Sequence, residues 1–294
     1  MDEAPVGTML NDYLEQQLRL VADSRSLSTR RNYQTAVRSL QAYLNRDVPL
    51  AEITSDLLQG YERWLRGHGV CLNTVSCYMR SLRSLLHNGP DDCGQAFCHV
   101  FTGHTRTDKR SIPIEAINRL RKLHLPSDRF ISLARDVFLF SFYAMGMPFV
   151  DVAHLQWSQV GPHSIVYRRQ KTGHPVTIGL MPQLTEIMWR YRDNNSPYVF
   201  PLLHAGTERE YHAVLGRYNR ALHRLQRLAR IESPLTSYVV RHSWASVAYA
   251  SNVDLPVIAQ ALGHANTKVT MTYIREISDD RVAKANETVA SQLG

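Results

Sequence analysis

Over the first ninety residues the hydrophobic positions recur at three- and four-residue spacing, the period of an amphipathic helix. Four runs carry it: LNDYLEQQLRLVADS, STRRNYQTAVRSLQAYLNR, SDLLQGYERWLRGHG and LNTVSCYMRSLRSLLHNG. Ser28, Ser55 and Asn73 have side chains that accept orphan amide hydrogens and are the expected N-caps. Gly67, Gly69 and Gly89 punctuate the ends. The pattern predicts a small all-α domain.

From Pro90 to Arg110 the periodicity fades into a polar stretch with a basic cluster, HTRTDKRSIP, which reads as a linker. A second domain then opens with PIEAINRLRKLHL, where Pro113 suits a first helical turn. SDRFISLARDVFLFSFYAMG is apolar on nearly every face and is expected to be a buried helix. SIVYRRQ and HPVTIGL alternate with period two around Lys171-Thr172-Gly173, predicting a β-hairpin. From MPQLTEIMWRYRD onward the chain reads as helical again, with a loop near NNSPYVFPLLHAGT. The expected class is mainly α with a small β-sheet, divided as 1–100, a linker 101–112 and 113–294.

Composition changes this picture little. A chain of 294 residues with 44% hydrophobic content can bury two cores and is not a disordered one. No apolar run approaches the roughly 18 residues that span a bilayer. MDEAPVGTML carries acids where a secretion signal needs bases, so a cytosolic location is expected. Lys and Arg total 34 against 26 acids, a formal charge of +8, which suits a polyanionic partner or simple solubility equally. Cys71, Cys77, Cys93 and Cys98 lie near His87, His99 and His104, but their spacing fits no common zinc module, so reduced thiols are expected and no metal.

The most informative segment is LTSYVVRHSWASVAYASNVDLPVIAQALGHANTKVTMTYIRE. It holds Arg241, then His264 in a Leu-Gly-His turn, then Tyr273 nine residues further on. It resembles the C-terminal half of the catalytic domain of the tyrosine recombinase (phage integrase) family, where an Arg-His pair, a Leu-Gly-His turn and a tyrosine in that register form the active site. FLFSFYAMGMPFVDVAHLQWSQV and YRRQKTGHP are similar to that domain's first catalytic segment and its lysine-bearing hairpin. The N-terminal helices are similar to the family's SAM-like core-binding domain. The resemblance therefore implies an all-α SAM-like core-binding domain followed by a mixed α/β catalytic domain.

It also implies a chemistry. Transesterification at a DNA phosphate builds negative charge on the non-bridging oxygens, and fixed donors there stabilise the transition state more than the ground state. Arg241 suits this because its planar fork can hold two phosphate oxygens. His264 is the expected second donor, Tyr273 the nucleophile that stores the bond as a 3′-phosphotyrosine, and Lys171 the acid that protonates the departing 5′-oxygen. No metal or nucleotide cofactor is required. Each residue also has a plainer role open to it: packing for Tyr273, a charged turn for Lys171, a helix cap for His264. Trp244 and His242 read as structural.

Two positions depart from the family pattern. Its first arginine, expected after the glycine turn, is Pro148 here, although the acid three residues later is present as Asp151. Proline carries no charge and no donor. Tyr238 stands three residues before Arg241 in place of a histidine, and its hydroxyl can still donate. Arg135 is the preferred substitute for the missing arginine, because a guanidinium in a buried helix needs an anionic partner. Its alternative is a structural ion pair with Asp136 or Asp151. Thirteen residues of straight helix would hold it about 20 Å from Pro148. Arg168 and Arg169 in the hairpin are the other candidates.

For double-stranded DNA, the first domain offers Arg30 and Arg31 in STRRNY, with Arg80 and Arg83 beside Thr74 at a helix start. These side chains suit phosphate contacts, or equally a solvated helix face. The resemblance implies a clamp on duplex DNA, a homo-oligomer with four protomers at a synapse, and a tail after Tyr273 that couples neighbours. The short stretch ahead of the first helix favours a DNA invertase or mobile-element recombinase over an integrase with arm sites. The competing expectations are a non-catalytic DNA-binding relative and a type IB topoisomerase-like relaxing activity.

Overall fold

The computed structural model describes residues 8–21, 27–87, 95–105, 110–125, 129–264, 267–272 and 291. The chain divides into two compact units, Met1–Thr107 and Asp108–Gly294.

The first unit is built from α1 (Leu10–Leu20), α2 (Leu27–Leu44), α3 (Ser55–Gly67) and α4 (Leu72–Leu86). Their periodic apolar positions meet as expected: Leu10, Leu14, Leu40, Leu58, Leu65, Met79 and Leu82 are almost wholly buried. Tyr61 is fully buried, and its hydroxyl donates to Ser39 Oγ at 2.7 Å, which offsets the cost of removing that group from water. The helix starts differ from expectation by a residue or more. Thr54, rather than Ser55, caps α3 by accepting from the Leu57 amide at 3.3 Å. Cys71 precedes α4, and Asn73 instead exchanges hydrogen bonds with the Thr105 backbone at 2.9 and 3.0 Å. Ser28 lies inside α2.

The expected linker is likewise part of this unit over 95–105. Phe97 and Val100 are buried in its core, and the Phe101 amide donates to Glu62 Oε2 at 2.8 Å.

In the second unit the buried helix is α6 (Arg129–Tyr143). Around it pack α5 (Ile114–Arg121), the short α7 (Phe149–Ala153), α8 (Pro182–Arg190), α9 (Glu208–Leu228) and α10 (Val239–Ala250). Pro113 sits one residue before α5, as its N-cap. Phe138 and Phe140 fill the centre, Phe140 meeting Phe200 edge-on with centroids 4.9 Å apart. Phe149 stacks on Tyr218 at 4.2 Å, which seats α7 against α9. The hairpin forms as expected: β1 (Ser164–Arg168) and β2 (Pro175–Gly179) pair antiparallel, Val166 opposite Thr177. Ile165, Tyr167, Val176 and Ile178 face inward, the period-two side of the pattern. Finally α11 (Leu255–Ala261) closes on α10 through Ala245, Ile258 and Leu262, and α12 (Thr267–Met271) packs on α11. Among the described residues no helix is long and apolar enough to cross a membrane.

Candidate active site

Three backbone devices build the site. After α6 the chain turns through two left-handed residues, Met145 at φ 56° and Gly146 at φ 70°. A Cβ on Gly146 would lie 3.0 Å from the Arg241 Cα, so only glycine allows this approach. The turn aims the Gly146 carbonyl at Arg241, whose Nη1 donates to it at 3.1 Å.

The second device is the Leu-Gly-His turn, a Schellman cap on α11. The His264 amide bonds the Ala259 carbonyl at 2.9 Å and the Gly263 amide that of Gln260, with Gly263 at φ 64°. The cap leaves the Leu262 carbonyl pointing into the site. There it accepts from Arg241 Nη2 and, at 2.7 Å, from Arg169 Nη1. Two cations at a helix C-terminus are favourable in their own right.

The third device is the hairpin loop. Its Gln170 amide donates to Asp151 Oδ1 at 2.9 Å, and Arg169 Nε to Asp151 Oδ2 at 3.4 Å. Asp151 thus ties α7 to the loop that carries Lys171, which is itself exposed. Burial pushes the Asp151 carboxyl up from its usual range, opposed by the Gln170 amide and the charges of Arg169 and Arg241.

His264 completes the cluster. Its Nε2 lies 3.0 Å from Arg241 Nη2, and its Nδ1 lies 2.9 Å from Oγ1 of the fully buried Thr270. Burial, then the charges of Arg241 and Arg169, lower its pKa to about 4, so the ring is neutral at pH 7. Arginine has only donors, so Nε2 accepts and the proton sits on Nδ1, donated to Thr270. Thr270 and the Leu262 carbonyl gave no sign of these roles in the sequence.

The structure therefore brings together Arg241, His264, Arg169 and the hairpin loop of Lys171. Tyr238 stands at the N-cap position of α10, about half exposed, its ring edge-on to His242 at 5.0 Å. Tyr273 lies outside the described residues, as does the tail that follows apart from Ser291. Arg135 is placed elsewhere, contrary to its expected part in the site. Its Nε donates to Asp136 at 2.8 Å and its Nη1 to the Leu123 carbonyl at 2.9 Å, because the carboxylate beside it in sequence already supplies the anionic partner a partly buried guanidinium needs. In the first unit Arg31, Arg80 and Arg83 are exposed on α2 and α4, and Arg30 is half-buried. Thr74 is half-buried, its Oγ1 3.1 Å from Cys71 Sγ.

A buried arginine and a neutral histidine meet at a helix cap, with a basic hairpin beside them, an arrangement that can grip an anion. Similarity to known proteins gives the chain a family. Residues 123–279 match the phage integrase family and residues 9–90 the phage integrase SAM-like domain. The chain belongs to the phage integrase family and is an enzyme of the tyrosine recombinase type. Tyrosine recombinase XerD of Listeria monocytogenes serotype 4b (strain F2365) is 24% identical over 283 residues, covering 90% of this chain and 94% of the relative. XerD of Halalkalibacterium halodurans is also 24% identical, covering 90% of this chain and 93% of its own. The fold matches a lambda integrase tetramer bound to a Holliday junction, with a TM-score of 0.71 at 13% identity over 94% of this chain and 81% of that one. It also matches the Tn1549 transposon integrase in complex with circular intermediate DNA, at 0.68 and 14%, over 96% and 100%.

Proposed function

We propose that this chain carries out site-specific DNA recombination by transesterification through a 3′-phosphotyrosine intermediate. The observation that carries it is the meeting of Arg241 and His264 at the Leu262 carbonyl, beside the Asp151-tethered hairpin. Arg241 holds the scissile phosphate by exchanging neutral carbonyl acceptors for charged oxygens, which strengthens each bond. His264 follows: an arriving phosphate diester draws a proton onto Nε2, making it a second donor. Lys171, two residues from Arg169, protonates the leaving 5′-oxygen, and Tyr238 supplies a further hydroxyl at the helix start. Tyr273, three residues after Thr270 in sequence, is the nucleophile.

The first domain, over 1–100, binds double-stranded DNA, with Arg31, Arg80 and Arg83 on exposed helix faces, together with Arg30 and Thr74, as its phosphate contacts. Lambda integrase has been solved as a dimer on a core site and as a tetramer on a Holliday junction. That likeness supports a homo-oligomer on DNA with a tetrameric synapse. In this reading the protein acts in the cytosol as an invertase or a mobile-element recombinase.

The test is covalent capture. A duplex carrying the sites the protein selects from genomic fragments, nicked beside the cleavage point, traps a protein–DNA adduct with the unchanged protein and none with Tyr273→Phe. Equal trapping by Tyr273→Phe removes it as nucleophile. Pro148, the N-cap of α7 with φ −62° and ψ 148°, supports a second reading, a non-catalytic DNA-binding relative. Specific binding with no adduct from the unchanged protein selects that reading.

A further inference from the structure

We infer that Arg169 grips the scissile phosphate alongside Arg241, supplying from the hairpin the positive charge that Pro148 cannot. The assignment rests on the cleavage reading above. Two guanidinium groups donate to one oxygen, that of Leu262, so their donor nitrogens lie no more than about 6 Å apart. That spacing suits two non-bridging oxygens of one phosphate. The carbonyl they share is a neutral acceptor at the end of α11, and an anionic phosphate oxygen competes well for the same donors.

Arg169 is also held in place. It is 9% exposed, its Nε is fixed by Asp151, and its Nη1 by Leu262, while Nη2 bonds to nothing among the described residues. The turn that positions His264 lies directly on its stem: a Cβ on Gly263 would come within 3.0 Å of the Arg169 Cδ. Arg169 therefore joins α7, the hairpin and the α11 cap, and the loop that brings it also brings Lys171. A guanidinium fixed before substrate arrives costs no reorganisation during the reaction.

An ion pair that merely pins the hairpin to α7 would share most of this geometry, so the test must read the phosphate's charge. Adduct formation is measured on two nicked duplexes, one with the natural diester and one with a methylphosphonate at the cleavage point, whose methyl group replaces a charged oxygen. Arg169→Ala is expected to slow the natural substrate by about 10²- to 10³-fold and the methylphosphonate far less. Arg169→Lys, which keeps charge and stem but loses the planar fork, shows the same selectivity with a smaller loss and serves if the alanine variant misfolds. Adding Pro148→Arg to Arg169→Ala restores part of the natural rate, since position 148 is two residues from the carbonyl that Arg241 touches. Near-normal adduct yield from the folded variants, or an equal loss on both substrates, overturns the assignment and leaves the cleavage reading standing. Failure of the unchanged protein to form any adduct overturns the cleavage reading itself.

Discussion

Asp136 and Asp151 are both buried in the second unit, 2% and 3% exposed, and both face guanidinium groups, yet the two regions are built to different ends. Asp136 accepts from Arg135 Nε at 2.8 Å, Arg190 Nη1 at 2.6 Å and the Tyr191 hydroxyl at 2.8 Å. Two cations close on one carboxylate, and Glu186 meets the second charge by pairing with Arg190 at 2.8 Å. At Asp151 the carboxylate fixes Arg169 and the Gln170 amide, and the guanidinium groups of Arg169 and Arg241 then converge on a carbonyl oxygen. A carboxylate holds its arginines as structure, whereas a neutral carbonyl yields them to a stronger acceptor. The acceptor at the centre, more than the number of arginines, separates a brace from a site.

The largest expected effect lies at the Asp136 brace. Asp136→Ala leaves Arg135 and Arg190 without their shared carboxylate and is expected to cost about 3–5 kcal/mol, read as a lower urea midpoint. Adduct formation per folded molecule should not change. A folded Asp136→Ala protein that lost cleavage would show that the brace reaches into the chemistry.

At the other end, Arg241→Ala is expected to lower adduct formation by about 10²- to 10³-fold, equivalent to roughly 3–4 kcal/mol of transition-state stabilisation. Arg135→Ala should leave it untouched. Near-normal cleavage by Arg241→Ala would dissolve the distinction between the two regions.

At the glycine turn the expected effect is smaller. Gly146→Ala puts a side chain at φ 70° with its Cβ 3.0 Å from the Arg241 Cα. The backbone cost is about 1–2 kcal/mol, seen as a lower melting temperature, and the shift of Arg241 slows cleavage as well. A change in stability alone would mean that the turn holds the fold and not the arginine.

Much of this was legible in the chain. The 3.6-residue and two-residue periods gave the helices and the hairpin because burial of one face is what selects each element. The Leu-Gly-His turn was legible through the family resemblance, and the structure supplies its physical reason, a Schellman cap with glycine at the left-handed position. Caps were less so: Thr54 and Ser55 are adjacent residues that can each accept, and Asn73 had a partner 32 residues away in Thr105. The choice between Arg135 and Arg169 was not local at all. Arg135 had an acid next to it in sequence, whereas Arg169 meets Asp151 across 18 residues and Leu262 across 93. Only the folded chain shows which arginine lies beside Arg241.

The smallest effect tests the histidine between these cations. Its ordinary pKa of 6.5 falls to about 4 through burial and through the charges of Arg241 and Arg169. The folded protein therefore binds fewer protons at His264 than the unfolded chain does between those two values. Stability from this group is fully present above pH 6.5 and is lost as pH falls through that window towards 4. Because the ring is only partly buried, the loss is on the order of 1 kcal/mol after screening. His264→Gln should flatten the urea-unfolding stability across that window relative to the unchanged protein. Arg169→Ala should do so in part, since it removes one of the two charges that depress the ring. If neither variant alters the slope, His264 does not share its surroundings with both arginines, and the convergence on the Leu262 carbonyl loses its electrostatic signature.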